Sequence, residues 1–196
     1  MDLTTRIQQH FSESIEALQM AQEILVPQLA RAAERLFECL MADGKIIACG
    51  NGSSAAAAQR FVSMLLNRFD KDRPGLAAYS LSADSTTLSA IAGDYDFDIV
   101  YSKQLRALGS PQDVLLVICP DGNAANIIQA INAAHERQMP VIALTGGDGG
   151  EIANLLTAED IHLCAPAERN ARIDELHILT LHCLCDAIDC QLLGAD

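Results

Sequence analysis

The chain has 196 residues, half of them hydrophobic, only 4% aromatic, with no tryptophan and a formal net charge of −13. That length suits one domain with a sizeable core, and the scarcity of aromatics makes it a core of Ala, Leu, Ile and Val. The acidic balance argues against direct nucleic-acid or anionic-membrane binding, both of which need a basic surface; it suits a solubility-favouring surface or a basic protein partner.

From Thr5 to Val26, apolar residues fall at Ile7, Phe11, Ile15, Leu18, Ala21, Ile24 and Leu25, which is helical spacing. Pro27 marks a break, and a second helix is expected from about Gln28 to Met41, ended by Asp43-Gly44. Five short apolar runs follow at 45–50, 76–82, 113–120, 140–146 and 160–166, alternating with helical segments. Continuous apolar strands alternating with helices predict a parallel sheet covered on both faces, an α/β class of doubly wound type. Ligands in such sheets sit beyond the carboxyl ends of the strands. Those ends carry Gly50-Asn51-Gly52-Ser53-Ser54, Ser82-Ala83-Asp84-Ser85, Cys119 to Ala124, and Gly146-Gly147-Asp148-Gly149-Gly150.

The last helix, about Ala171 to Leu192, is apolar on more than one side, at Ile173, Leu176, Ile178, Leu179, Leu181, Leu184 and Ile188. A helix apolar nearly all round is buried by more than its own sheet. With the apolar stripe of residues 1–43, it predicts a homo-oligomer whose helical extension lies at the subunit interfaces. No repeat or linker divides the chain, so residues 1–196 form a single domain. Seven cysteines lie mostly within apolar runs. There is no signal-peptide pattern and no apolar run of the roughly 18–20 residues that span a bilayer. These features predict a cytoplasmic chain with reduced thiols. Cys183 and Cys185, two apart on a helix, point in different directions and are expected to be buried and structural.

Residues 113–131, DVLLVICPDGNAANIIQAI, are arranged like a phosphate cradle: a strand, a short loop, and a helix opening near Gly122 and Asn123. Such a loop aims unpaired N–H groups and a helix dipole at its contents. Yet it offers no hydroxyl, and a phosphate would meet the Asp121 carboxylate. Two unit charges ~4 Å apart repel by roughly 4 kcal/mol at an effective dielectric of about 20. The glycine-rich stretch 146–150 lacks dinucleotide-loop spacing and is expected to be a tight structural turn. Asp70-Lys71-Asp72-Arg73 is expected to be a solvated connection.

Taken in order, GKIIACGNGSSAA (44–56), LLNRFDKDRP (65–74), DVLLVI (113–118), VIALTGGDGG (141–150) and ARIDELHILTLHCLCDAID (171–189) resemble the SIS (sugar isomerase) domain family. The narrower likeness is to the branch shared by sedoheptulose-7-phosphate isomerases and the DiaA-type DnaA-initiator-associating proteins. The resemblance implies a three-layer, flavodoxin-like sandwich with a five-stranded parallel sheet, a homotetramer, and pockets shared between subunits.

Where those isomerases have Gly-Gly-Ser in the first loop, this chain has Gly52-Ser53-Ser54, which crowds the sugar's approach. A His and a Glu, four apart on the next helix, are replaced by Arg60 and Met64. The hydroxyl-rich phosphate loop has become Cys119-Pro120-Asp121-Gly122-Asn123-Ala124, and a metal-site Gln is Asp174. Asn51, Ser54, Arg68, Asp94, Asn123 and His182 survive. Aldose–ketose isomerisation needs a positioned base and acid. Met64 cannot accept a proton, Arg60 cannot give one up near neutral pH, and neither is an ordinary zinc ligand. The zinc site of the isomerases therefore reads as lost, and no metal or cofactor is expected.

The remnants Arg68, Asp94 and His182 carry no assured catalytic role. His182 reads as a hydrogen-bonded residue at a subunit contact, Asp94 as a sugar contact or a turn residue, and Arg68 as one partner of a carboxylate. Any ligand would be held by Asn51, Ser53, Ser54, Asp121, Asn123 and Asp174. The reading from these residues is a non-catalytic homotetramer of the DiaA type that binds the initiator DnaA and promotes its assembly at the origin. The alternative is a phosphoheptose (sedoheptulose-7-phosphate) isomerase or another sugar-phosphate-binding member of the fold, with Asp174, His182 and Asp94 doing the proton work. A sensor of a non-phosphorylated or cationic metabolite is a third reading.

Overall fold

Each of the five apolar runs becomes a strand: β1 (Ile46–Gly50), β2 (Ala78–Ser80), β3 (Val114–Ile118), β4 (Val141–Gly146) and β5 (Ile161–Ala165). The computed structural model describes residues 2–194. The strands pair in parallel in the order β2-β1-β3-β4-β5. The three central strands, β1, β3 and β4, are buried at every residue, hence their unbroken apolar sequences.

Successive side chains still go to opposite faces. Ile46, Ala48, Leu116, Ile142 and Leu144 pack against α1 (Leu3–Met41), α2 (Ser53–Leu66) and α7 (Asn170–Leu193). Ile47, Cys49, Leu115, Val117 and Ala143 pack on the other face. There they meet α3 (Ser85–Asp94), α4 (Val100–Leu108), α5 (Ala125–Glu136) and α6 (Gly150–Leu155). The result is the expected three-layer α/β arrangement, and a one-residue slip of any central strand would exchange its two packed faces.

Several local expectations are corrected. Pro27 lies inside one continuous helix of 39 residues, not between two helices. Proline costs about 3 kcal/mol in an unsupported helix interior. Here tertiary packing holds both flanks. Ala17, Ala21 and Leu25 lie against Ala165, Ile173 and Leu176, and Ala32, Ala33 and Leu36 lie against the sheet.

Residues 70–73 are not merely a solvated connection, because Arg73 enters the core. Its Nε donates to Asp189 Oδ1 on α7 at 2.5 Å, with both side chains almost fully buried. Its remaining N–H groups donate to the carbonyls of Leu65, Met64 and Pro74. Cys185 is buried as expected, whereas Cys183 is exposed.

By length and composition α7 could also cross a bilayer, which the apolar-run argument missed. It carries Arg172, His177 and Asp189 buried among protein groups, and its Leu181, Leu184 and Ile188 pack into the core of the sheet's α1–α2 face. Those contacts identify it as a core helix.

Candidate functional site

The strand order changes direction between β1 and β3: the chain leaves β1 towards β2 on one side, then returns to β3 on the other. Loops at such a switch point diverge and leave a crevice at the carboxyl edge. A cavity of about 340 Å³ occupies that crevice, lined by Asn51, Ser53, Ser54, Cys119, Asp121 and Asn170, among others. Four of the expected ligand-binding residues, Asn51, Ser53, Ser54 and Asp121, therefore line one cavity.

Three helices begin around this cavity. Ser53 opens α2, Ala124 precedes α5, Asn170 opens α7, and none of the three starts carries a side-chain cap hydrogen bond. Unpaired N–H groups and the positive ends of helix dipoles favour an anion there. The close start of α2 depends on Gly50, where a Cβ would lie 2.7 Å from the Ser54 carbonyl carbon.

The walls are tied together beneath the cavity. Asn51 Nδ2 donates to Asn126 Oδ1 at 2.8 Å, and Asn126 Nδ2 returns a bond to Asn51 Oδ1 at 2.9 Å. Tyr101 Oη donates to the Gly50 carbonyl at 2.6 Å and to Asn51 Oδ1 at 3.2 Å. Burial, with a smaller contribution from Cys49, pushes the Tyr101 phenol well above its ordinary value and keeps it a donor.

Asp121 is turned partly onto its own loop, its Oδ1 accepting from Asn123 N at 3.2 Å and from Cys119 Sγ at 3.3 Å. Burial is the first cause raising the Cys119 thiol, and the neighbouring Asp121 adds to it. Cys119 is thus a protonated donor, unlike a reactive thiolate. Asn123 is not among the residues lining the cavity. Its Nδ2 donates to the Asp121 carbonyl at 2.7 Å, and its Oδ1 accepts from Glu151 N at 3.0 Å. Gly122, at φ 66°, packs so closely on the Gly149 carbonyl that a Cβ would overlap it. The glycine-rich stretch is therefore the other half of a loop-to-loop brace, in keeping with a structural turn.

Behind Ser53 and Ser54 lies a smaller space of about 50 Å³, lined also by Asp174, His177 and Ile118. Ser53 is exposed at its edge, with Oγ 3.5 Å from Asp174 Oδ2, and leaves the main cavity open. His177 is 3% exposed. Its Nε2 lies 2.9 Å from the Thr145 carbonyl oxygen, and its Nδ1 is buried without a hydrogen-bond partner. Burial holds its pKa below the ordinary histidine value, against the opposing pull of Thr145 and Asp174.

Further along α7, His182 shares a narrow space with Arg60 and Met64. Its Nε2 is also buried and unpartnered, and its ring centroid is 5.5 Å from that of Phe69. The expectation of a hydrogen-bonded His182 is therefore not met within the chain. Burial first, then the Arg60 charge, lowers its pKa, partly offset by Asp70. Arg68 donates to the Asp70 main-chain carbonyl at 2.7 Å, in place of the expected carboxylate. Asp94 is exposed at the end of α3 and lines none of these three spaces.

Among the described residues, no three His, Cys, Asp or Glu side chains gather closely enough to hold a metal ion. With Arg60 and Met64 beside His182, the donor set does not fit zinc.

Sequence reasoning missed Tyr101, Asn126, Asn170 and His177. Asn126 and His177 are polar residues within the largely apolar buried stripes of their helices, and Tyr101 lies on a short helix rich in polar residues. A neutral histidine at the buried stripe of α7, three residues after Asp174, was a signal available for His177.

Comparison with known proteins gives a consistent picture. The SIS domain pattern matches residues 9–146. A phosphoheptose isomerase from Laribacter hongkongensis is 57% identical over 196 residues, covering all of both chains. The structure of a phosphoheptose isomerase from Neisseria gonorrhoeae is 52% identical, with a TM-score of 0.90, covering 96% of this chain and 99% of that one. One from Francisella tularensis is 43% identical with a TM-score of 0.94 and the same coverage. These full-length likenesses overturn the expectation of a non-catalytic, DnaA-binding protein of the DiaA type. The substitutions in the phosphate loop and at Arg60 and Met64 had pointed that way, but they sit within a chain otherwise close to named isomerases. By its matched pattern, its fold and its relatives, the chain belongs to the SIS domain family.

Proposed function

We propose that this chain is a cytoplasmic sugar-phosphate isomerase of the phosphoheptose type, interconverting an aldose and a ketose. The observation that carries the reading is the convergence of three uncapped helix starts on one cavity that adjoins Asp174 and His177. Backbone N–H groups at Ser53, Ala125 and Asn170 supply the phosphate recognition that serine hydroxyls would otherwise give. Asp121 keeps part of its acceptor capacity engaged within its loop, which lessens its conflict with an anion. The relatives named phosphoheptose isomerase add support for the substrate class.

Isomerisation moves a proton between adjacent carbons, and between the two oxygens they carry, through an enediol. It needs one group to take the carbon proton and one to serve the oxygens. Asp174 is the carboxylate beside the cavity, and His182 is a neutral imidazole with an unpartnered Nε2. These two are the proton carriers in this reading, and no step requires a metal. The exposed apolar face of α1, including Ile7, Phe11, Ile15 and Ile24, supports assembly into a homotetramer through α1 and α7.

The test is conversion of sedoheptulose 7-phosphate by protein purified from a host lacking its own isomerase. Turnover that disappears in Asp174→Asn and falls at least tenfold in His182→Ala is the expected result. Binding without turnover would reduce the chain to a sugar-phosphate-binding protein, and absence of binding would end the proposal.

A further inference from the structure

The least satisfied group near the cavity is a ring nitrogen. His177 Nε2 faces the Thr145 carbonyl oxygen at 2.9 Å, and a carbonyl can only accept. The neutral ring must therefore carry its proton on Nε2, which leaves Nδ1 as a bare acceptor. Among the described residues no group donates to it, although the residue is 3% exposed. A buried acceptor left without a donor is destabilising, so such an atom marks a place where something else donates. The same imidazole lines the 50 Å³ space behind Ser54, which shares Ser53, Ser54 and Ile118 with the main cavity. That volume exceeds the roughly 10–15 Å³ needed for one water-sized group.

We infer that this space is a hydroxyl-binding subsite in which His177 Nδ1 accepts a hydrogen bond from the sugar's non-phosphorylated end, the C1 hydroxyl of the ketose. This rests on the sugar-phosphate reading above and deepens it. Ser53, Ser54 and Asp174 also line the subsite, its flanks are the apolar Ile118, Ala57 and Ile178, and the imidazole Nδ1 is its buried acceptor-only group. An acceptor-only anchor distinguishes a hydroxyl from a carbonyl or a methyl at the same place, because only the hydroxyl can donate. Depression of the histidine pKa by burial keeps the ring in the accepting form at neutral pH.

The experiment is calorimetric titration of the full chain with sedoheptulose 7-phosphate, its 1-deoxy analogue and inorganic phosphate. Wild-type protein is expected to bind the parent sugar at least tenfold more tightly than the deoxy analogue, in line with the loss of one buried hydrogen bond. In His177→Gln the amide can still donate to Thr145 while the Nδ1 acceptor is gone. There the ratio should fall towards one with phosphate affinity unchanged. Equal wild-type affinity for parent and deoxy sugar overturns the subsite alone, and it needs no variant to fold. A ratio that survives in His177→Gln also overturns it. If wild-type protein binds neither sugar nor phosphate, both the subsite and the sugar-phosphate reading fall.

Discussion

Asn51 and Asn126, 75 residues apart, exchange a pair of amide hydrogen bonds that fastens the loop after β1 to the first turn of α5. The pair sits under the cavity where helix starts converge, so it sets the spacing of the groups proposed to hold phosphate. Asn126 is 3% exposed, and removing it strands the Asn51 amide with only Tyr101 to serve it.

Asn126→Leu is therefore expected to cost about 1–3 kcal/mol, the penalty for an unpaired buried polar group. At roughly 2–4 °C per kcal/mol for a chain of this size, scanning calorimetry should register the loss. Phosphate affinity should fall with it. An unchanged melting temperature would show that Asn51 finds another partner.

The Arg73–Asp189 pair presents the same logic with full charges. Asp189→Ala leaves a guanidinium buried with only backbone carbonyls, and losing one partner of a buried pair typically costs about 3–5 kcal/mol. The double variant Arg73→Met, Asp189→Leu should be less destabilised in urea than Asp189→Ala alone. If the double variant is the worse of the two, the carbonyl bonds of Arg73 matter more than its charge partner.

How much of this was legible in the sequence follows from the range of the interactions. The strands declared themselves because Val114 to Ile118 and Val141 to Gly146 are buried on both faces, and burial on both faces writes an unbroken apolar run. The crevice followed from the strand ends, whose loops carry Asn51, Ser53, Ser54 and Asp121, four of the six candidate ligand residues and all four in the lining of the cavity. Pro27 misled because proline's local cost is visible in sequence while the packing that outweighs it is not. Arg73 looked like surface within a charged run, since its partner lies 116 residues away. Asn126 and His177 sit on the buried stripes of α5 and α7, but each answers to a distant polar group, Asn51 or the Thr145 carbonyl, that no period reveals. The family was readable from ordered motifs. The function was misjudged because the substituted side chains at Arg60, Met64 and residues 119–124 were weighed above the helix start that the same loop announced.

Protonation should couple to stability through the histidines. His162 and His177 have pKa values lowered below the ordinary value, 6.5, by burial. The unfolded chain therefore takes up protons before the folded one does. Their contribution to stability is full above about pH 6.5 and is lost as pH falls below it, towards the folded values. Urea midpoints should drop between pH 7.5 and pH 5.5, and the drop should be smaller in His177→Gln. An identical drop in the variant would assign the effect to His162 and other groups.

The apolar stripe on α1 predicts an oligomer. Ile7, Phe11, Ile15 and Ile24 are 57%, 69%, 55% and 54% exposed, and a contiguous exposed apolar face marks an interaction surface. Light scattering on the purified chain should give a mass four times that of the protomer. Phe11→Glu with Ile15→Glu should shift it to a smaller species while leaving the helical signal in place. A wild-type monomer would remove α1 as an interface.

Met64 offers the most direct handle on the proposed chemistry. It shares a narrow space with His182 and Arg60, where a thioether can neither take a proton nor balance a charge. A carboxylate in that position would serve as a general base, a role contributing typically 10²–10⁴ in rate. It would also raise the His182 pKa, now lowered by burial and by Arg60. Met64→Glu is accordingly expected to raise kcat at least tenfold with little change in KM, since the residue lies outside the lining of the cavity proposed to hold phosphate. The acid limb of the pH–rate profile should move upward with it. If kcat is unchanged, the proton is taken elsewhere, and Asp174 becomes the residue on which the isomerase reading stands.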